Sequence, residues 1–195
     1  MTKPSQSVYQ FKITLEEVKP AIWRRIQVPS SYNFWELHVA IQNAMGWEDY
    51  HLHEFEVVNL KTGRPQRIGS EGAEECASGR KVKIEDCFSM ENKTAFYEYD
   101  FGDGWGHKIV LEKILPMDLS KTYPLCLDGK RACPPEDSGG PWGYKDLLEI
   151  LKNPRHADYK DTVEWIGDKN FDPEAFKAEE AIFENPKEHV DISEG

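Results

Sequence analysis

Between Phe96 and His107 the chain reads Phe-Tyr-Glu-Tyr-Asp-Phe-Gly-Asp-Gly-Trp-Gly-His, the pattern of a strand, a tight turn and a returning strand. Tyr97, Tyr99 and Phe101 alternate with Phe96, Glu98 and Asp100, so period-2 geometry puts the aromatic set on one face of a ribbon and Phe96 with the two carboxylates on the other. Asp103-Gly104 supplies the central pair of a hairpin turn, because both residues tolerate positive φ. With those two residues as the loop, Asp100 faces His107, Tyr99 faces Lys108 and Tyr97 faces Val110, which leaves one polar pair beside the turn.

The flanking segments extend the same architecture. Val8 to Glu16 alternates cleanly, with Tyr9, Phe11, Ile13 and Leu15 on one face, and Ala21 to Val28 repeats the pattern with Ile22, Ile26 and Val28 opposite Trp23. The short connector between them predicts an antiparallel hairpin. Asn33 and Glu36 form a capping box for a helix that Gly46 closes, with Phe34, Leu37, Ile41 and Met45 as its buried stripe and His38 at the stripe's boundary. His51 to Val58 reads as a strand sending His51, His53, Phe55 and Val57 to one face. Residues 59 to 94 are polar and glycine-broken, an exposed excursion with a short strand near Lys81 to Ile84. Pro116 to Pro141 reads as a long, ordered, folded-back loop. Helices follow over Tyr144 to Leu151 and Tyr159 to Trp165, and Asp172-Pro173 opens a third with Phe176, Ile182 and Phe183 as its apolar side. The expected fold is α+β: a mainly antiparallel sheet, one early packing helix and a helical C-terminal part. A length of 195 residues suits one domain over 1–195, with flexible ends at 1–7 and 186–195.

Charge narrows the function classes. The chain carries a formal −11, and residues 115–195 hold 18 acidic against 10 basic side chains, a net of −8. Non-specific nucleic-acid binding draws on phosphate neutralisation, so this composition disfavours it, and Arg24-Arg25 and Arg80 to Lys83 are too small to reverse that. No apolar run approaches the roughly 18 residues a membrane span needs. The polar Met1 to Ser7 lead contains no apolar secretory core, so a cytoplasmic location is expected, with Cys76, Cys87, Cys126 and Cys133 as free thiols or metal ligands.

The motif set resembles a known family. Tyr9-Gln10-Phe11-Lys12-Ile13, Ile22-Trp23-Arg24-Arg25, Leu37-His38 to Gly46-Trp47, His51-Leu52-His53-Glu54-Phe55, Tyr99 to Trp105 and Cys133-Pro134-Pro135-Glu136-Asp137-Ser138-Gly139-Gly140-Pro141 occur in the order seen in the plasmid pRiA4b ORF-3-like family, over roughly Val8 to Phe183. Members are also labelled TnpR-like transposon passenger proteins, so the resemblance implies association with mobile elements. It does not imply a serine recombinase: the N-terminal sequence has no serine within an arginine cluster, and no helix-turn-helix is evident.

Two site readings emerge. In the first, the protein is a non-enzymatic binding or adaptor module. An aromatic groove of Tyr97, Tyr99, Trp105 and Trp142 with Trp47, beside Asp103 and the Cys126 to Pro141 loop, holds a protein or other ligand. In the second, it is a metal-dependent hydrolase or nuclease centred on His51, His53, Asp100, Asp103 and His107. There His51, His53, Asp103 and His107 are candidate ligands to a divalent metal, and Asp100, His107 and Glu136 are candidate catalytic groups, with Asp137 reaching in from the loop. The bland alternative makes these groups hydrogen-bonded fixtures at a sheet end. Cys126 and Cys133 are spaced too widely for a zinc knuckle, and no base is identifiable in sequence for a nucleophilic Cys133 unless the fold brings His107 beside it. Gly102 to Gly106 is followed by no helix and so lacks the context of a phosphate loop.

Overall fold

The two alternating runs at the start pair antiparallel, Tyr9 opposite Val28 and Phe11 opposite Ile26, and their apolar faces are buried. In the computed structural model, which describes residues 7–69, 76–168 and 171–189, these runs are β1 (Ser7–Leu15) and β2 (Trp23–Pro29). They are followed by α1 (Phe34–Met45), β3 (His53–Val58), β4 (Pro65–Gly69), β5 (Ala77–Ser78), β6 (Thr94–Tyr99), β7 (Trp105–Pro116), β8 (Leu125–Lys130), α2 (Gly140–Leu151) and α3 (Tyr159–Ile166). The strands form one sheet in the order β5-β4-β3-β6-β7-β1-β2-β8, antiparallel except where β5 lies parallel to β4. The fold is α+β.

One sheet face carries the core and the other stays polar, as antiparallel sheets allow. On the polar face Arg25 pairs with Glu112 at 2.7 Å, and Gln10 donates to Glu112 while accepting from Gln27. The core face packs against α1. Asn33 and Glu36 satisfy each other's backbone N–H groups at its start, and Gly46, at φ 94°, ends it. Burial runs further round α1 than one stripe, because the C-terminal segment lies over its outer side. Trp35 Nε1 donates to the Pro186 carbonyl at 3.1 Å, and the Glu184 N–H donates to Asn43 Oδ1 at 2.9 Å. Ser7 and residues 186–189, expected as loose ends, are therefore tied to the body. Residues 1–6 and 190–195 lie outside the described residues.

Other expectations need correcting. The third C-terminal helix is absent from 171–189 apart from a 3-10 turn at Ala178–Glu180. Phe176 instead stacks on the Arg24 guanidinium at 3.8 Å, and Ile182 is exposed, so these apolar residues dock singly and form no stripe. The 59–94 excursion contains β4, β5 and a 3-10 turn at Ile84–Asp86; no strand forms at 81–84. It is anchored by Phe88, whose ring meets Phe11 edge-on at 4.9 Å. Part of the expected 116–141 loop is β8, which covers the free edge of β2. His51 precedes β3 and does not begin it.

The central hairpin also has a different register. Tyr99 faces Trp105, Tyr97 faces His107 and Phe96 faces Lys108, so the connection is Asp100 to Gly104, not Asp103-Gly104 alone. Asp100 starts the turn. It adopts φ 54°, its Oδ1 accepts the N–H groups of Gly102 and Asp103, and its carbonyl accepts from Gly104 at 2.6 Å. Aspartate is one of the few residues that reaches this conformation readily, and its side chain closes an Asx turn.

Candidate functional site

Three segments meet at the open end of the hairpin: the turn from Asp100, the stretch before β3, and the loop leading into α2. The Asp100 N–H donates to the Leu52 carbonyl at 3.0 Å, which ties the turn to the chain next to His51. Its Oδ1 is occupied by the turn, and its Oδ2 lies 3.6 Å from His51 Nε2. Asp137, at φ 55°, brings Oδ1 to 3.1 Å from the same nitrogen, and Glu136 Oε2 stands 3.9 Å away. His51 Nε2 is buried but makes no hydrogen bond with any of them.

The loop is fixed by Tyr99. Its hydroxyl donates to Glu136 Oε1 at 3.1 Å and accepts from the Tyr50 N–H at 2.9 Å, and the Glu48 N–H also donates to Glu136. Burial pushes the Glu136 carboxyl pKa up; hydrogen bonds from Glu48 and Tyr99 and the nearby His51 oppose that rise, and Asp137 adds to it. Carboxylates thus crowd one imidazole, and a cation would offset their mutual repulsion. Metal-ligating atoms of His51, Asp100 and Asp137 all lie within 4.8 Å of one another, the one such group among the described residues. First-row ions bind N and O ligands at about 2.0–2.2 Å, which places ligand atoms roughly 3–4 Å apart, so a small contraction closes this set around an ion.

The other candidates do not converge there. Asp103 Oδ2 accepts the Gly139 N–H at 2.9 Å, so it joins the turn to the start of α2. His53 stacks face to face on His38, 3.5 Å between ring centres, and burial, followed by the His38 charge, holds its pKa well below the ordinary value. His107 packs against Trp47 and Tyr97, with no side-chain hydrogen-bond partner for either ring nitrogen. Tyr97, Tyr99 and Trp105 are fully buried and Trp47 stacks on Tyr99, so the expected aromatic groove is core. The hairpin's aromatic face is the one α1 covers, and alternation along a strand identifies a face but not its cover. Trp142 alone of that set is exposed, at 75%.

Sequence reading missed Asp49. Buried at φ 59°, its Oδ2 lies 2.9 Å from both His38 Nε2 and His189 Nε2. His38 Nδ1 in turn meets the Tyr97 hydroxyl. Burial alone would raise the Asp49 carboxyl, but hydrogen bonds and charge from His38, then His189, hold it below the usual carboxylate range. No local pattern joins residues 38, 49 and 189, so only the fold reveals the set. None of the four cysteines is in a disulfide, and the Cys76 thiol donates to Glu54 Oε2 at 3.0 Å. Burial pushes Cys87 up to about 11 and Cys133 up to about 12, which argues against a thiolate nucleophile.

Buried His107 sets a pH dependence. Burial lowers its pKa from 6.5 to about 4, so between those values the unfolded chain takes up a proton that the folded chain refuses. Stability is full above pH 6.5 and falls as the pH drops towards 4, by about 3 kcal/mol over the window from this residue. Urea unfolding at pH 7 and pH 5 measures the slope, and His107→Leu is expected to flatten it. An unchanged slope in that variant would rule His107 out as its source.

Comparison with known proteins places the whole assembly. The family model described as plasmid pRiA4b ORF-3-like protein matches residues 7–180. The chain belongs to the plasmid pRiA4b ORF-3-like family. Within reach of this pRiA4b ORF-3-like chain is a protein named uncharacterized protein y4hQ, from Sinorhizobium fredii strain NBRC 101917 / NGR234. It is 37% identical over 170 residues, covering 87% of this chain and 86% of that one. The crystal structure of a protein of unknown function, MM3350 from Methanosarcina mazei Go1, superposes with a TM-score of 0.87 at 52% identity, over 92% of this chain and 100% of that one. The pRiA4b ORF-3-like match includes every residue of the His51 cluster. No helix among the described residues is long and apolar enough to cross a membrane.

Proposed function

We propose that this pRiA4b ORF-3-like protein is a binding module whose recognition surface is organised by one divalent first-row cation. His51, Asp100 and Asp137 ligate the ion and Glu136 stands behind them. The observation that carries the reading is the convergence of one imidazole nitrogen and two carboxylate oxygens within 4.8 Å. A mixed N and O set suits Zn2+, Mn2+ or Fe2+. Exposed Tyr50, Leu52 and Phe101 lie next to His51 and Asp100 in the chain and offer apolar contact beside the metal's open positions.

The openness of the site favours binding over catalysis. Asp137 is 67% exposed on its side chain, whereas catalytic metal sites work in enclosed, water-poor pockets. A hydrolase or nuclease built on the five residues singled out from the sequence loses Asp103, His53 and His107 to other contacts. The test is calorimetric titration of EDTA-stripped protein with ZnCl2 and MnCl2. Saturable uptake of one ion per chain and a higher melting temperature are expected; saturable uptake of neither ion would overturn the proposal.

A further inference from the structure

A second surface feature shares no lining residue with the His51, Asp100 and Asp137 group. The turn between β1 and β2 and one side of α2 with its C-cap, from Pro141 to Lys152, line a cleft of about 570 Å³, within the size range of small-molecule sites. Val18, Tyr144 and Leu148 form its apolar wall and Trp142 borders it. A tryptophan three-quarters exposed is unusual for so large an apolar side chain, and here it presents its ring beside a concave surface. Lys145 Nζ already lies 5.8 Å from the centre of that ring.

The charges at the cleft differ from those of the chain. Glu149 is held by Lys152 at 2.8 Å and also feels the charge of Lys145, so the charged lining is three lysines, Lys19, Lys145 and Lys152, against two carboxylates, Glu17 and Glu149. Neither Lys19 nor Lys145 has an ion-pair partner among the described residues. A locally cationic, aromatic-walled cleft on a chain of net −11 selects a ligand that is flat, apolar and negatively charged.

We propose that this cleft binds a planar aromatic monoanion, an aryl carboxylate or sulfonate of about two fused rings. Its rings lie against Trp142 and the Val18, Tyr144 and Leu148 wall, while its acid group is met by the Lys19 and Lys145 ammonium groups. The site requires no metal and stands apart from the His51 cluster.

Calorimetric titration with 2-naphthoate and its neutral methyl ester, both in EDTA, tests this. Trp142, Lys19 and Lys145 are all exposed, so their substitution leaves the fold intact. Wild type is expected to bind 2-naphthoate saturably at one site. Trp142→Ala should weaken both probes about ten-fold, from lost aromatic contact area. A Lys19→Gln/Lys145→Gln double variant should weaken the acid about five- to ten-fold and leave the ester unchanged. No saturable binding to wild type, indifference to Trp142→Ala, or a lysine variant that binds the acid normally or loses acid and ester alike would each overturn the proposal.

Discussion

Replacing His51 with alanine is expected to weaken Zn2+ and Mn2+ binding by about a hundred-fold or more, since losing a group that merely supports a ligand already costs about 10–100-fold in metal sites. His51 is the only nitrogen donor of the set, and its removal leaves carboxylates that are individually weak ligands. Asp100→Asn is the sharper variant. The asparagine side-chain oxygen can still accept from Gly102 and Asp103, and asparagine tolerates the left-handed backbone that Asp100 adopts. The turn therefore survives while the ligand charge disappears. At a free metal concentration one hundred times Kd, wild type should gain about 2.7 kcal/mol of stability, and neither variant should gain a comparable amount at that concentration. Wild-type affinity in either variant would remove His51 or Asp100 from the ligand set.

Gly140→Ala is expected to cost about 3 kcal/mol or more in urea unfolding, combining a left-handed backbone penalty with overpacking. Gly140 sits at φ 68°, and a Cβ built there would lie 2.2 Å from the Asp103 carbonyl oxygen. The contact joins the hairpin turn to the first residue of α2, so relieving it must separate the two sides of the His51, Asp100 and Asp137 group. Metal affinity should fall along with stability. Gly104→Ala provides the comparison: its φ is 70° but nothing lies within 4 Å of its added Cβ, so only the backbone penalty of about 1–2 kcal/mol applies. Equal losses in the two variants would show that close packing against Asp103 contributes nothing.

Much of this arrangement was legible because it is local. Alternation located β1, β2 and β6, and the Asn33–Glu36 pair with Gly46 bounded α1 to within a residue. The hairpin register was not legible, because a choice between two aspartates, Asp100 and Asp103, decided where the turn began. The Asp100 side chain won by capping two N–H groups of its own turn. β8 was missed because its pairing depends on the open edge of β2, not on a strong alternation of its own. Within the candidate site, His51, Asp100, Glu136 and Asp137 were named from residue type and motif and do come together. His53 and His107 were named for the same reasons but are directed into the core. A histidine two residues along a strand carries no sign of whether a helix covers it.

The outer strands of the sheet limit how any partner can engage it. At one end β5 is two residues long; at the other, the β2–β8 pairing is broken by a register shift between Arg25 and Ile26, and β8 carries Asp128, Gly129 and Lys130. A short or irregular, charged border gives an incoming chain few consecutive backbone groups to pair with. Strand addition at these two borders is thereby disfavoured, for a second copy of this chain as for any other extended segment.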